Sequence, residues 1–272
     1  MKLLAFETAT EACSVALWID GAVRERFEVA PRRHAELALP WAEALLAEAG
    51  LAKAQLDAVA VGRGPGAFTG VRLAVALAQG IALALDRPVV AISTLQVLAA
   101  GAERGAEKGS AEKGSESFSK RLRSGSGASR MENDSDPFSA DPFSPSRILA
   151  AIDARMGEVY AGAFVLEDGG PVAASPETVA SPGTLELPGD DGDWQGVGTG
   201  FAAVDGLLAT RLQPRLARVD ASALPHAADL ARLAVAAYDR GEALPPERVE
   251  PAYLRNQVAL TLAEQQAKRS GG

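Results

Sequence analysis

The chain has a single cysteine, Cys13, among its 272 residues. That excludes an internal disulfide and a cysteine zinc cluster, and it fits a reducing, cytoplasmic setting. Histidine is nearly as scarce, with only His34 and His226. Two histidines so distant in sequence are not expected to hold a metal, and His34 reads as a solvated or capping residue at a helix start. A basic excess is also missing: 27 Lys and Arg stand against 35 Asp and Glu, for a net charge of −8. Unaided nucleic-acid binding is driven by phosphate neutralisation, so contact with RNA is expected only beside a partner that supplies positive charge. Long apolar runs are few. The opening "MKLLAFE" is too short for a signal peptide and ends on acidic Glu7. The stretch Thr69–Leu85 is apolar but carries Arg72 and Gln79, which argues against a membrane span.

Hydrophobic residues make up 47% of the chain and charged residues 23%, enough for a core in one large domain or two small ones. "KLLAFE" reads as a strand. "CSVALWID" and "AVRERFEV" read as two more, joined by an Asp20-Gly21 hairpin turn. A helix is expected from Arg33 to Ala49, stopped by Gly50, with Leu37, Trp41, Ala44, Leu45 and Leu46 on its apolar side. "DAVAVG" is a strand, Thr69–Leu85 a helix, "PVVAIS" a strand, and a further helix starts at Thr94. "WQGVGTG" reads as a strand entering a glycine turn, and Phe201–Leu212 and His226–Gly241 as helices. After Pro251 the chain is expected to be extended and then to turn helical.

Composition changes abruptly near residue 101. The segment 101–146 is rich in Gly, Ser and charge, with a crude repeat (GAER, GAEK, SAEK) and a doubled DPFS. It offers too little apolar surface to offset its ordering entropy, so a disordered insertion is expected there. It separates an N-terminal half, 1–100, from a C-terminal half, 147–272. The halves share a pattern. Shifting the sequence by 146 residues lays "LLAFE" on "LAAID", Glu7 on Asp153, and "CSVALW" on "VYAGAF" without a gap. Each copy is a strand with an acid at its end, a polar turn and a second strand. That is the expectation for a duplicated α/β domain.

The glycine-rich stretch "GRGPGAFTG" before the Thr69–Leu85 helix invites a phosphate-loop reading. A Walker loop requires a lysine after its last glycine, and none follows. The spacing of Gly62, Gly64, Gly66 and Gly70 does not match the dinucleotide fingerprint either. The alternative is a tight turn, with Thr69 as N-cap, launching a helix that is apolar nearly all round. Such a helix must be buried in a core or against another chain. Ala74, Ala78 and Ala82 recur at i, i+4, i+8, a row along which a partner helix could approach closely. With Leu37, Trp41, Val71 and Val75 they are the candidate partner-interface residues. Cys13 lies in strand phase without a nearby histidine and is expected to be buried. No catalytic residue is assigned. Glu7 and Asp153, at matching strand ends, could face one cleft and hold a metal or water, with Thr8 beside them as a further weak nucleotide-site candidate; equally, they could only cap turns.

Together "FETATEACSVAL", "RRHAELALP", "GRGPGAFTGVRLAVALAQGIA", "ISTL", "DARMGEVYAGAF" and "PAYLR" resemble the bacterial TsaB (YeaZ) family, over 1–101 and 147–258. The resemblance implies a duplicated actin-like (ribonuclease H-like) ATPase-type α/β fold, two similar halves with mixed sheets. It also implies a part in making threonylcarbamoyladenosine at position 37 of tRNAs that read codons beginning with adenine. In that scheme the paralogue TsaD carries the catalytic metal and transfers threonylcarbamoyl from its adenylate, TsaE is an ATPase, and TsaC or a relative makes the adenylate. The TsaB-type chain is a non-catalytic partner docked on TsaD, with no cofactor of its own; ATP and metal belong to partner subunits, and tRNA is met through the complex. A homodimer is a further possibility. The TsaD-type H-x-x-x-H metal motif would fall where this chain has Thr94 and Leu98, neither a credible ligand. The rival expectation is an enzyme in its own right, either an actin-like ATPase or kinase, or a peptidase acting on TsaD.

Overall fold

The computed structural model describes residues 1–102, 147–167, 170–189 and 193–255. The expected insertion lies outside the described residues apart from 101 and 102, which are helical. The turn to helix expected in the C-terminal tail lies outside them too.

Two mixed sheets organise the chain. The first contains β1 (Lys2–Glu7), β2 (Ala12–Ile19), β3 (Ala22–Val29), β4 (Ala58–Gly62) and β5 (Val89–Ile92), in the order β3-β2-β1-β4-β5. The second contains β6 (Arg147–Arg155), β7 (Glu158–Glu167), β8 (Gly170–Ala173), β10 (Trp194–Val197) and β11 (Leu216–Asp220), in the order β11-β10-β6-β7-β8, with β9 (Thr178–Ala180) also on β7. Reading the second from β8 gives the same arrangement as the first. A central strand has an antiparallel hairpin neighbour on one side and parallel strands on the other. Glu7 pairs with Ser14 across the first hairpin, and Asp153 with Val159 across the second. The repeat read from the sequence is therefore a repeat of sheet topology.

Side-chain alternation explains the layers. On the first sheet Leu4, Phe6, Val15, Leu17, Val59 and Val61 face one way, onto α1 (His34–Glu48) and α2 (Phe68–Leu85). Leu3, Ala5, Ala16, Ala58 and Ala60 face the other way, onto α5 (Ala227–Asp239). Both faces are apolar, as a sheet covered on two sides requires, and the alanines let α5 lie close. The second sheet packs Leu149, Ala151, Val159 and Trp194 against α4 (Ala203–Leu212). Its other face meets Leu95, Leu98 and Ala99 of α3, helical residues 94–102. The helices are thus exchanged: α3 ends the first half in sequence yet covers the second sheet, and α5 belongs to the second half yet covers the first. The expected boundary between 1–100 and 147–272 divides the sequence but not the packing.

Two local expectations need correction. The helix α2 starts at Phe68 with Ala67 in the capping position and no side-chain cap, so Thr69 is inside the helix. The helix expected over Phe201–Leu212 is broken, because Val204, Asp205 and Gly206 all have positive φ.

Candidate functional site

The glycine loop rests on the β1–β2 turn. A Cβ on Gly66 would stand 2.2 Å from the Ala9 carbonyl oxygen, and one on Gly70 2.0 Å from that of Thr8. The loop is tied down where it touches: the Ala67 amide donates to Ala9 O at 2.7 Å, and Thr8 Oγ1 donates to Gly70 O at 2.7 Å. Gly64, at φ +91°, supplies the one positive φ of the turn. These glycines serve close approach of one backbone to another, with the loop held against the β1–β2 turn. Thr8, a candidate for nucleotide contact, is fully buried in this seam.

Glu7 and Asp153 do not converge. Glu7 is 1% exposed and turned inward, with Oε1 accepting from the Ala9 amide at 2.8 Å and Oε2 from Thr94 Oγ1 at 3.1 Å. Gly62 is needed beside it, since a Cβ there would lie 1.8 Å from Oε2. Burial pushes the Glu7 carboxyl up to about 7, against the hydrogen bonds that favour its anion. Asp153 instead lines a cleft of about 670 Å³ between the halves, paired with Arg155 at 2.9 Å. The cleft also touches His34, whose Nε2 is 3.0 Å from Thr10 O, and Tyr253. The shared metal or water site is thereby overturned. Among the described residues, no group of three His, Cys, Asp or Glu side chains could hold a metal ion. Thr94 is fully buried and Leu98 packs on the second sheet, so neither position opens on the cleft as a ligand.

The partner-interface candidates divide: those on α2 are corrected, and those on α1 are left partly accessible. Ala74, Ala78 and Ala82 are fully buried within the chain itself, and Val71 and Val75 are 4% exposed. This row faces the first sheet, so it is core. Leu37 and Trp41 of α1 are half-buried against the same core. The outward row of α2 is the opposite one: Thr69, Leu73, Ala76, Gly80, Leu83 and Ala84, exposed or half-exposed, while Leu77 packs against the first core from the side. Leu83 is 70% exposed, and Phe68 at the helix start 60%. By length and composition alone α2 could cross a membrane, but its inner row is packed in the core of the first sheet. Arg72 stands 3.6 Å over the Phe68 ring and donates to Tyr253 Oη at 2.8 Å, which fixes the N-terminal end of this face.

One constellation had no signal in the sequence. Ser14 Oγ donates to Glu25 Oε1 at 2.7 Å, His226 Nδ1 lies 3.0 Å from Glu25 Oε2, and the Ala227 and Ala228 amides donate to Ser14 Oγ and Glu25 Oε1. A hydrolase places its histidine between acid and nucleophile. Here the carboxylate is in the middle and Ser14 is fully buried. The group caps the N-terminus of α5 from the first sheet, with Phe27 stacked on the His226 ring at 4.0 Å. Burial pushes the Glu25 carboxyl up, but its bonds to His226, Ser14 and Ala228 outweigh that and hold it below its ordinary value. Cys13 is fully buried, and burial pushes its thiol up to about 12, so it is no nucleophile.

Two equally ordered mixed sheets with exchanged helices and a cleft between them define a protein of the actin-like α/β class. The comparisons refine that class. The chain is 36% identical to the tRNA threonylcarbamoyladenosine biosynthesis protein TsaB of Escherichia coli, over 95% of this chain and 96% of the relative. It is 35% identical to that of Haemophilus influenzae, over 95% of each. A solved structure from Pseudomonas aeruginosa, described as an uncharacterized protein with similarity to peptidase YEAZ, superposes with a TM-score of 0.74 at 41% identity, covering 93% of this chain and 99% of that one. A second, described as YeaZ from the same organism, gives 0.72. The family model for TsaD, tRNA N6-adenosine threonylcarbamoyltransferase, matches residues 27–110. The chain belongs to the TsaB family of tRNA threonylcarbamoyladenosine biosynthesis proteins.

Proposed function

We propose that this chain is a non-catalytic docking subunit of the complex that adds threonylcarbamoyl to N6 of adenosine 37 in tRNAs reading codons that begin with adenine. Its direct partner is a TsaD-type transferase, with a TsaE-type ATPase in the same cytoplasmic complex. ATP and the catalytic metal sit on those partners, and tRNA is reached through them. The single observation that carries this reading is the outer face of α2. An 18-residue helix keeps its alanine row for its own sheet and leaves Leu73, Ala76, Gly80, Leu83 and Ala84 outward. A small-residue and leucine face of this kind admits close approach by a second helix. The match of the TsaD model to residues 27–110 supports a paralogue as that partner, because the matched span contains both α1 and α2.

The test is Leu83→Glu. Burying an unpaired carboxylate at an interface costs about 3–5 kcal/mol, roughly two to three and a half decades of affinity. Leu83 projects outward, so the monomer should melt within a few degrees of wild type. Copurification with the transferase and threonylcarbamoylation of tRNA in reconstitution should fall together. A folded Leu83→Glu protein that still binds the transferase normally would refute the docking face. The same face is available for a homodimer of the chain alone, and sedimentation of the variant reads that out.

A further inference from the structure

A second cavity, of about 760 Å³, lies between the halves and includes Ser93, Gln96 and Leu254 in its lining. It opens between the end of β5 and the β8–β9 segment, and Leu233 of α5 forms part of its apolar wall. Two charged groups there have no role in the fold so far described. The Arg63 guanidinium is in electrostatic reach of Glu177 but makes no hydrogen bond to any described residue. Glu177 accepts from Ser93 Oγ, and burial holds its carboxyl above the ordinary range, against the opposing effects of Ser93 and Arg63. The other charges on the wall, Arg240 and Glu242, neutralise each other through two hydrogen bonds of 2.6 and 3.0 Å. The Gln96 amide donates to Pro171 O at 2.9 Å, which leaves its own oxygen as an acceptor. A cavity of this size with an apolar body and a few convergent polar groups has the character of a small-molecule site.

We propose that this cavity binds a small organic carboxylate with a hydrogen-bonding nitrogen beside it: Arg63 takes the carboxylate and Gln96 Oε1 accepts from the nitrogen. Planar, forked guanidinium geometry suits a carboxylate. Ile92 and Leu233 flank a short carbon chain. Two sources share this chemistry, a free α-amino acid and an N-carbamoyl amino acid. The latter rests on the tRNA-modification reading above, since a threonylcarbamoyl group is a ureido group next to a free carboxylate. Glu177 separates the two. An ammonium needs its anionic form, whereas a neutral ureido nitrogen does not.

The experiment is calorimetric titration of the full chain with L-threonine and with N-carbamoyl-L-threonine, repeated on Arg63→Met and Glu177→Gln. The Arg63 backbone bonds, its amide to Ile92 O at 2.9 Å and its carbonyl from the Ala252 amide at 2.7 Å, survive substitution, so Arg63→Met should fold. It should weaken whichever probe binds by about tenfold or more, about 1.4 kcal/mol per decade. Glu177→Gln keeps a side-chain oxygen facing Ser93. It should weaken L-threonine if the amino acid is the ligand, and leave unchanged or tighten N-carbamoyl-L-threonine if the ureido compound is. A purely structural role would produce neither pattern. If neither probe saturates, or if Arg63→Met binds as wild type, the proposal is overturned, and Arg63 and Glu177 merely close a wet cavity. Leu83 is not part of this cavity, so docking and ligand binding can fail separately.

Discussion

Glu7 and Glu25 lie on the same sheet and both are withdrawn from solvent, yet their environments push them in opposite directions. Glu7 has little beyond an amide and a hydroxyl to set against burial, and it is raised from 4.5 to about 7. Between those two values the folded state holds a proton that the unfolded chain has released, so this group makes stability fall as pH rises from about 4.5 to about 7. The total is about 3 kcal/mol at about 1.4 kcal/mol per pH unit. Glu7→Gln should match wild type near pH 5, surpass it by about 2–3 kcal/mol at pH 8, and flatten the slope between. Urea melts at the two pH values measure this, and an unchanged slope would show that Glu7 does not titrate in that window. Glu25 is lowered instead, chiefly by His226 once burial has been outweighed. Its contribution is present above the ordinary carboxylate value and is lost as pH falls through the folded one. Glu25→Gln should therefore blunt the acid limb of the stability curve. Nothing in the sequence announces this pair of effects. Residues 25 and 226 are 201 positions apart, and only the return of α5 to the first sheet joins them.

The helix α2 shows why an element can be legible while its orientation is not. Strand and helix positions followed from periodicity, turn residues and caps, and most held within a residue or two. For α2, however, apolar residues occupy every face, so periodicity cannot select the inner one. Alanines at i, i+4, i+8 fit close approach to a foreign helix and to the chain's own sheet equally well. Packing decided it: Phe6, Val59 and Val61 fill the sheet surface, leaving room beneath the helix for alanine rather than leucine. Paired variants read this directly. Ala78→Glu would bury an unpaired charge in the core and should unfold the chain, whereas Leu83→Glu should not. Gly70→Ala should also destabilise, by about 1–3 kcal/mol or more as overpacking does, because the added methyl meets the Thr8 carbonyl oxygen rather than a side chain that could move. Thermal melts of the three proteins check the assignment of faces. A folded Ala78→Glu would return the alanine row to the surface.

For the molecule as a whole, the duplication was readable because paired strands carry their pattern locally. The exchange of α3 and α5 was not, because it depends on where chains cross between sheets. The segment after α5 completes that exchange. Gln79 Nε2 holds the Pro246 and Val249 carbonyls at 3.0 and 3.1 Å, and Val249 enters the first core. The Ala252 amide then bonds the glycine loop at Arg63 O, at 2.7 Å. Arg255 crosses to the second half, donating to Ala154 O at 3.2 Å and pairing with Glu158. One strap therefore joins the α2 face, the glycine loop and the β6–β7 hairpin, and Tyr253 and Leu254 line the cleft between the halves on the way. Each sheet keeps both of its helical covers without Arg255, so Arg255→Ala should stay folded with a melting temperature lowered by only a few degrees, about 1 kcal/mol for a pair of this exposure. Its effect should be local instead. Amide hydrogen exchange should accelerate at residues 154–158, while the β1–β2 hairpin stays protected. Ending the chain after Glu250 removes the Ala252 bond as well, and should extend the faster exchange to residues 63–67. Exchange at 154–158 that is indifferent to both changes would mean that the hairpin is held by its own sheet, and that the strap follows the closure of the two halves without setting it.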